Sequence, residues 1–373
     1  MSKNVVICCD GTANEFAKNN TNVVKLYATL IQDSNQQVSY YHPGLGTMEP
    51  AGALTTFSRK LTKILGMAIG YGLNSDIRDA YVFLMRTFQA GDRLFLFGFS
   101  RGAYTVRGVA ALLRMYGLIR PGNEPLVPYA IRMMLGVQRS AGDDASQKAA
   151  VKEYFELADE FRQTMSKDCK PYFIGVWDTV CSVGWVENPL RLPYVANNPD
   201  IQIGRHAVAI DERRAFFRTN LWRPSPDPVK AGPRDLKQVW FPGVHCDVGG
   251  GYAEVESGLS KLALHWMLVE AKVAGLLIDS TKEDEVLGRT HDGKFVEEDA
   301  KAQAHESLRG WWRLAEFIPK RHYNWKAKKE ERRMNLFRRR TIPAGSLVHI
   351  AAYQRGEDYK KRLPPDAVQV TMP

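Results

Sequence analysis

The chain has 373 residues, of which 45% are hydrophobic and 25% charged, with a formal net charge of +10. That length and balance fit one large α/β domain with insertions better than two equal domains, and no uncharged apolar run reaches the roughly 18 residues of a membrane-spanning helix. The five cysteines, Cys8, Cys9, Cys169, Cys181 and Cys246, form no C-x-x-C pair and read as reduced thiols, a reactive Cys246 beside a candidate histidine being the alternative.

In chain order, Val5-Val6-Ile7-Cys8-Cys9 predicts a buried strand, closed by Asp10-Gly11-Thr12 in a loop. A strand this early leaves no room for a secretory signal peptide. The expected location is therefore cytoplasmic as synthesised, with peripheral membrane association or signal-independent export as further possibilities. Residues 22–30 predict a short helix and 38–41 a second strand, ended by Pro43-Gly44. Residues 44–72, rich in glycine and small apolar side chains, predict an insertion or lid on the substrate side. Residues 74–88 predict a helix that returns the chain to an apolar strand over 94–97.

The stretch Gly98-Phe99-Ser100-Arg101-Gly102 follows that strand directly. After it, Val106, Val109, Ala110 and Leu113 recur at helical spacing. Strand, Gly-x-Ser-x-Gly turn, then helix is the sequence of a nucleophile elbow, which lifts a serine hydroxyl above a sheet. Gly98 and Gly102 are expected there because a Cβ would collide where the strand folds back into its helix. The alternative reading of Ser100 is a plain helix cap.

Further on, residues 140–144 predict a loop, 145–165 a helix, and 172–177 a strand ended by Asp178-Thr179. Residues 188–235 predict a proline-punctuated insertion with a helical piece over 203–217. Residues 237–244 predict the last strand of the active-site half, ending in His245, and 259–274 an amphipathic helix. Strands alternating with helices predict a mostly parallel sheet covered on both faces.

A serine hydroxyl needs a base within hydrogen-bond reach, and the base an orienting acid. Asp178 and His245 both fall at strand ends, where catalytic groups gather in open α/β sheets. The chain order Ser100, Asp178, His245 is that of α/β hydrolases. His42, His206 and His265 lack that setting. Asp247, followed by three glycines, is expected to fix the loop that carries His245, and Asp10 to support its own loop; a metal role is the alternative for both. The oxyanion donors are expected at the Arg101 N–H, where the helix dipole helps, and at Gly11 or Thr12. No phosphate-loop or zinc-protease signature is present, and no cofactor is expected.

Between Lys320 and Arg340 ten basic residues meet two acidic ones, with aromatic residues interleaved. Three readings compete: a solvated surface helix, an anionic lipid surface with Arg338, Arg339 and Arg340 at the membrane, and, least favoured, nucleic-acid backbone. The remainder predicts helical structure and a short apolar run over 347–353. The organisation expected is a catalytic domain over 1–310, with insertions at 44–72 and 188–235. Residues 311–373 form a basic, aromatic-containing extension packed on it or continuous with it.

Several motifs in order resemble one family: Val5-Val6-Ile7-Cys8-Cys9-Asp10-Gly11-Thr12, Tyr40-Tyr41-His42-Pro43-Gly44, Gly98-Phe99-Ser100-Arg101-Gly102-Ala103-Tyr104, Gly175-Val176-Trp177-Asp178-Thr179, Ala209-Ile210-Asp211-Glu212-Arg213-Arg214 and Trp240-Phe241-Pro242-Gly243-Val244-His245-Cys246-Asp247. They look like the α/β-hydrolase family that includes the catalytic domain of type VI secretion phospholipase effectors, over roughly residues 3 to 275. The resemblance implies a serine hydrolase cleaving acyl esters of membrane phospholipids, with Ser100, Asp178 and His245 on the family's triad. The residues alone reach a serine ester hydrolase. A soluble carboxylesterase on a small ester or polyester, a signal-regulated immunity lipase and a catalytically silent binding protein are the alternatives. Acyl position, headgroup preference and oligomeric state are not written in the sequence.

Overall fold

The computed structural model describes residues 2–11, 19–44, 68–140, 145–180, 184–185, 188–189, 192–223, 231–290, 293–310, 312–325, 327 and 329–371. Thr12, Cys181, the loop 141–144 and most of the expected insertion at 44–72 lie outside the described residues.

Eight strands make one sheet, and every pairing in it is parallel. They are β1 (Asn4–Cys9), β2 (Gln37–His42), β3 (Arg93–Phe99), β4 (Pro171–Trp177), β5 (Ile203–Ala209), β6 (Asp235–Phe241), β7 (Leu347–His349) and β8 (Val368–Val370). Their spatial order is β8-β7-β6-β5-β4-β3-β1-β2. The sequence alternation decides which helices cover which face. Val5, Ile7, Leu94, Leu96, Ile174 and Val176 point to one side, into a core shared with Leu84, Val106 and Met134. Those residues belong to the helices α2 (Ala68–Thr87), α3 (Arg101–Tyr116) and α4 (Val127–Ser140). Val6, Cys8, Phe95, Phe97, Phe173 and Trp177 point to the other side, against Leu26 and Trp266, which belong to Asn22–Thr29 and Gly258–Val273. Apolar side chains on both pleats are what a strand buried on two faces requires.

The chain leaves β1 toward β2 on one side and resumes at β3 on the other. The carboxyl ends of β1 and β3 therefore form the point at which the winding direction changes, where ligands bind in open α/β sheets. The loop after β1 and the turn carrying Ser100 both lie there.

Two expectations are corrected. The piece over 203–217, read as helical, begins with β5, a central strand of the sheet, so the span 188–235 is not wholly an insertion. The segment from Lys320, read as helical, forms an antiparallel hairpin of Lys320–Asn324 with Lys329–Arg333. The apolar run over 347–353 holds β7 and then a short helix, Ile350–Tyr353. Residues of the 311–373 segment thus complete one edge of the sheet.

Candidate active site

Ser100 sits between β3 and α3 with φ 58° and ψ −118°, a strained region for a residue with a Cβ. The turn is held by two close backbone approaches. A Cβ on Gly98 would stand 2.5 Å from the Gly102 carbonyl oxygen, and one on Gly102 would stand 2.1 Å from the Cys9 oxygen. Neither strand nor helix can yield there, so glycine is required at both positions.

The adjacent strand β4 ends in Asp178, which also has a positive φ, 37°. Past β6, a tight turn brings the chain to a short helix, His245–Gly249, that opens with the histidine. The three side chains meet in line. Ser100 Oγ lies 2.8 Å from His245 Nε2, and His245 Nδ1 lies 2.5 Å from Asp178 Oδ2. An ionised carboxylate only accepts hydrogen bonds, which assigns the ring proton to Nδ1 and leaves Nε2 to accept from the serine hydroxyl. The imidazole is clamped between Phe99 and Phe217, with ring centroids 4.6 and 4.9 Å away. Its backbone N–H donates to Glu212 Oε2.

Burial pushes the His245 pKa below its ordinary 6.5, despite the opposing pull of Asp178. The ring is therefore neutral at neutral pH, the form a base must have. Asp178 is fully buried, and burial alone would raise its pKa; the Arg340 guanidinium and the His245 hydrogen bond outweigh this and hold the carboxyl well below the usual range.

Arg340 was expected at a membrane surface, and the structure corrects this. Its side chain is 7% exposed and grips the acid with both terminal nitrogens, Nη1 to Oδ1 at 2.6 Å and Nη2 to Oδ2 at 3.0 Å. It also donates to the carbonyls of Ala209 and Phe217. Asp178 Oδ1 accepts a further bond from Ala209 N at 3.0 Å. Arg338 and Arg339 remain exposed, with Arg339 3.5 Å from Asp211. Arg340 stands within a basic run in the sequence, and nothing in the run marks it as the arginine that meets Asp178.

The loop after β1 is organised by Asp10. Its carboxylate accepts from Gly11 N at 2.7 Å, from the Thr21 hydroxyl at 2.6 Å and from the Tyr41 hydroxyl at 3.1 Å. The Gly11 N–H is thereby directed at Asp10, which argues against Gly11 as an oxyanion donor. The Arg101 N–H opens α3, and the Arg101 side chain is buried within electrostatic reach of Asp76. Asp247 lies away from the His245 ring. It accepts from Val244 N, from His305 N and, at 2.6 Å, meets His305 Nδ1. His206 accepts from Thr179 N, just past the acid. Cys246, for which reactivity is the alternative reading, has its thiol pushed up to about 12 by burial, which keeps it protonated at neutral pH.

The family model described as T6SS, Phospholipase effector Tle1-like, catalytic domain matches residues 3–270. The chain belongs to that family. It is also similar to the uncharacterized protein YEL023C of Saccharomyces cerevisiae, at 35% identity over 233 residues, which are 60% of this chain and 33% of the relative. The chain thus spans about a third of that relative's length. Ser100, Asp178 and His245 all lie inside the family match; Arg340 lies beyond it.

Proposed function

We propose that this chain is a serine hydrolase of phospholipase type that cleaves acyl esters through Ser100, His245 and Asp178. The observation that carries the reading is the unbroken line from Ser100 Oγ through His245 to Asp178, at 2.8 and 2.5 Å. Membership in the phospholipase effector family supports the substrate class.

The chemistry follows from the geometry. Ser100 Oγ attacks the ester carbonyl carbon as its proton passes to His245 Nε2. Asp178, held by Arg340, stabilises the imidazolium through Nδ1–H. The oxyanion is met by the Arg101 N–H at the positive end of α3, with a second donor assigned to the loop after β1, where Thr12 is the remaining candidate. Collapse of the tetrahedral intermediate moves the proton from Nε2 to the departing alcohol and leaves an acyl-serine. Water then attacks the acyl carbon as it gives a proton to the same nitrogen, and collapse of the second tetrahedral intermediate returns that proton from Nε2 to Ser100 Oγ and releases the fatty acid.

The test is incubation with defined diacyl phospholipid in mixed micelles, with mass analysis for free fatty acid and lysolipid. Product is expected from the parent, and a loss on the order of 10⁴-fold or more from Ser100→Ala. Equal turnover by the two proteins would remove Ser100 from the mechanism. No product from any ester would remove the hydrolase reading.

A further inference from the structure

Beside the histidine and the acid lies a cavity of about 80 Å³ lined by Arg214, Arg218, Arg223, Arg333, Arg338, Arg339 and Arg340 among others, with Glu212 the one carboxylate on its wall among the described residues. A single water needs about 10–15 Å³ measured this way, so the cavity holds a group of several heavy atoms. Its positive charge is poorly offset. Glu212 is committed to Arg214, with Oε2 2.9 Å from Nη2. Arg340 is committed to Asp178. Arg223 stacks on the Tyr323 ring at 3.9 Å. Among the described residues, Arg218, Arg333 and Arg338 form no ion pair with a carboxylate. Glu316 is the acid that favours the charge of Arg218, and its oxygens accept from Ala215 N, Asn335 Nδ2 and Phe337 N.

Burial leads the shifts of the neighbouring basic groups, and the clustered cations add to it. Burial, with Arg333 and Arg340, lowers the Arg218 guanidinium to about 9. Burial and Arg218 together lower Lys320 to about 6 and His322 to about 3. Clustering guanidinium groups about one concavity costs free energy unless an anion enters. Planar guanidinium forks suit phosphate oxygens, which they bind bidentately.

We propose that this arginine-lined cavity binds a phosphate group next to the catalytic histidine, supplied either by the headgroup of a phospholipid or by a free phosphorylated metabolite. The headgroup source rests on the hydrolase reading above; the binding of phosphate does not. Phe217 connects the two sites, since it lines the cavity and packs on the His245 ring, with the Arg214 guanidinium carbon 3.4 Å from its ring centroid.

The experiment is titration calorimetry of the full chain with pyrophosphate and with glycerol 3-phosphate, at constant ionic strength in chloride. Saturable binding at or below about 1 mM is expected, and the thermal midpoint of the unmodified chain should rise with either probe. Arg333→Gln, and Arg338→Gln with Arg339→Gln, should each weaken binding at least tenfold, and the corresponding Lys variants less. Arg338 and Arg339 are exposed, so that pair of substitutions leaves the fold in place, and the shift in the unmodified chain needs no variant. Hydrolysis of dibutyryl phosphatidic acid against dibutyryl glycerol separates the two sources. A higher KM for the phospholipid alone in the Gln variants assigns the site to the headgroup. Lost pyrophosphate binding with both KM values unchanged assigns it to a free phosphate compound. Absence of saturable binding to the unmodified chain, or undiminished binding in the Gln variants, overturns the proposal. Phosphate binding without turnover of any ester would overturn the hydrolase reading and leave the cavity assignment standing.

Discussion

At the scale of single residues, the decisive contact is the one between Asp178 and Arg340. A fully buried carboxylate needs a compensating charge, and in the proposed mechanism the histidine beside it must stay neutral until the serine proton arrives. Arg340 supplies that charge through both carboxylate oxygens, and at Oδ2 its Nη2 shares the oxygen with His245 Nδ1, which a carboxylate oxygen with two lone pairs can accept. Replacing it by Gln should cost about 3–5 kcal/mol of stability, the usual penalty for leaving a buried charge unpaired, read as a lower denaturation midpoint. Arg340→Lys should recover part of both stability and kcat, while KM stays near the parent value. A change confined to KM would instead make Arg340 a substrate contact. The pH dependence follows with its sign. Because the folded-state pKa of His245 lies below 6.5, the base is already deprotonated above that pH. The acid limb of kcat/KM should fall below pH 6.5, with a plateau through neutrality. In Arg340→Gln the Asp178 carboxylate loses its main opposing charge, so its pKa rises and stability is lost at a higher pH as acid is added. A limb centred above pH 7 in the parent would contradict the buried, neutral histidine.

Among the elements, the turn between β3 and α3 has little freedom. Gly98→Ala or Gly102→Ala brings a methyl group within 2.5 Å of backbone atoms on a neighbouring segment, and each should destabilise by about 3 kcal/mol or more. Circular dichroism melts check this, and a midpoint within a degree of the parent would mean the turn is looser than its contacts imply. This element was legible because its signal is local: an apolar run buried on both faces, two glycines and a helical repeat. β5 was not legible. Gly204-Arg205-His206 interrupts its apolar pattern, and the partners that make those polar residues tolerable are remote. Arg205 meets Glu270 at 2.6 Å and Asp235 at 2.7 Å, and His206 accepts from Thr179 N. The hairpin after Lys320 was hidden in the same way, since its strands carry charge on both faces and pair Tyr323 with Glu330 and His322 with Glu331 only across the turn. Strand-end placement identified Asp178 and His245 because a parallel sheet brings successive carboxyl ends to one rim. Arg340 reaches that rim from a distant segment, and no periodicity marks its arrival.

For the whole molecule, the segment after residue 310 is expected to be inseparable from catalysis, although the family match ends at residue 270. Two facts argue this. β7 pairs with β6, and β8 with β7, so removing them exposes the backbone edge of β6 and strips Val208 and Trp240 of the Val348 side chain they cluster with. Removing the same segment deletes Arg340 and leaves the Asp178 carboxylate buried without its cation. A chain ending at residue 310 should therefore be aggregation-prone, as unpaired apolar edges are, and should hydrolyse a small soluble ester at under about a hundredth of the parent rate if it is recovered folded. Supplying residues 311–373 as a separate polypeptide at excess should restore some of that rate, because strand addition rebuilds the edge and returns the arginine together. The same supplement carrying Arg340→Gln separates the two effects: it should solubilise the fragment through β7 and β8 while leaving turnover low. A fragment ending at residue 310 with parental turnover would show that neither the edge strands nor the arginine is needed to hold the acid in place.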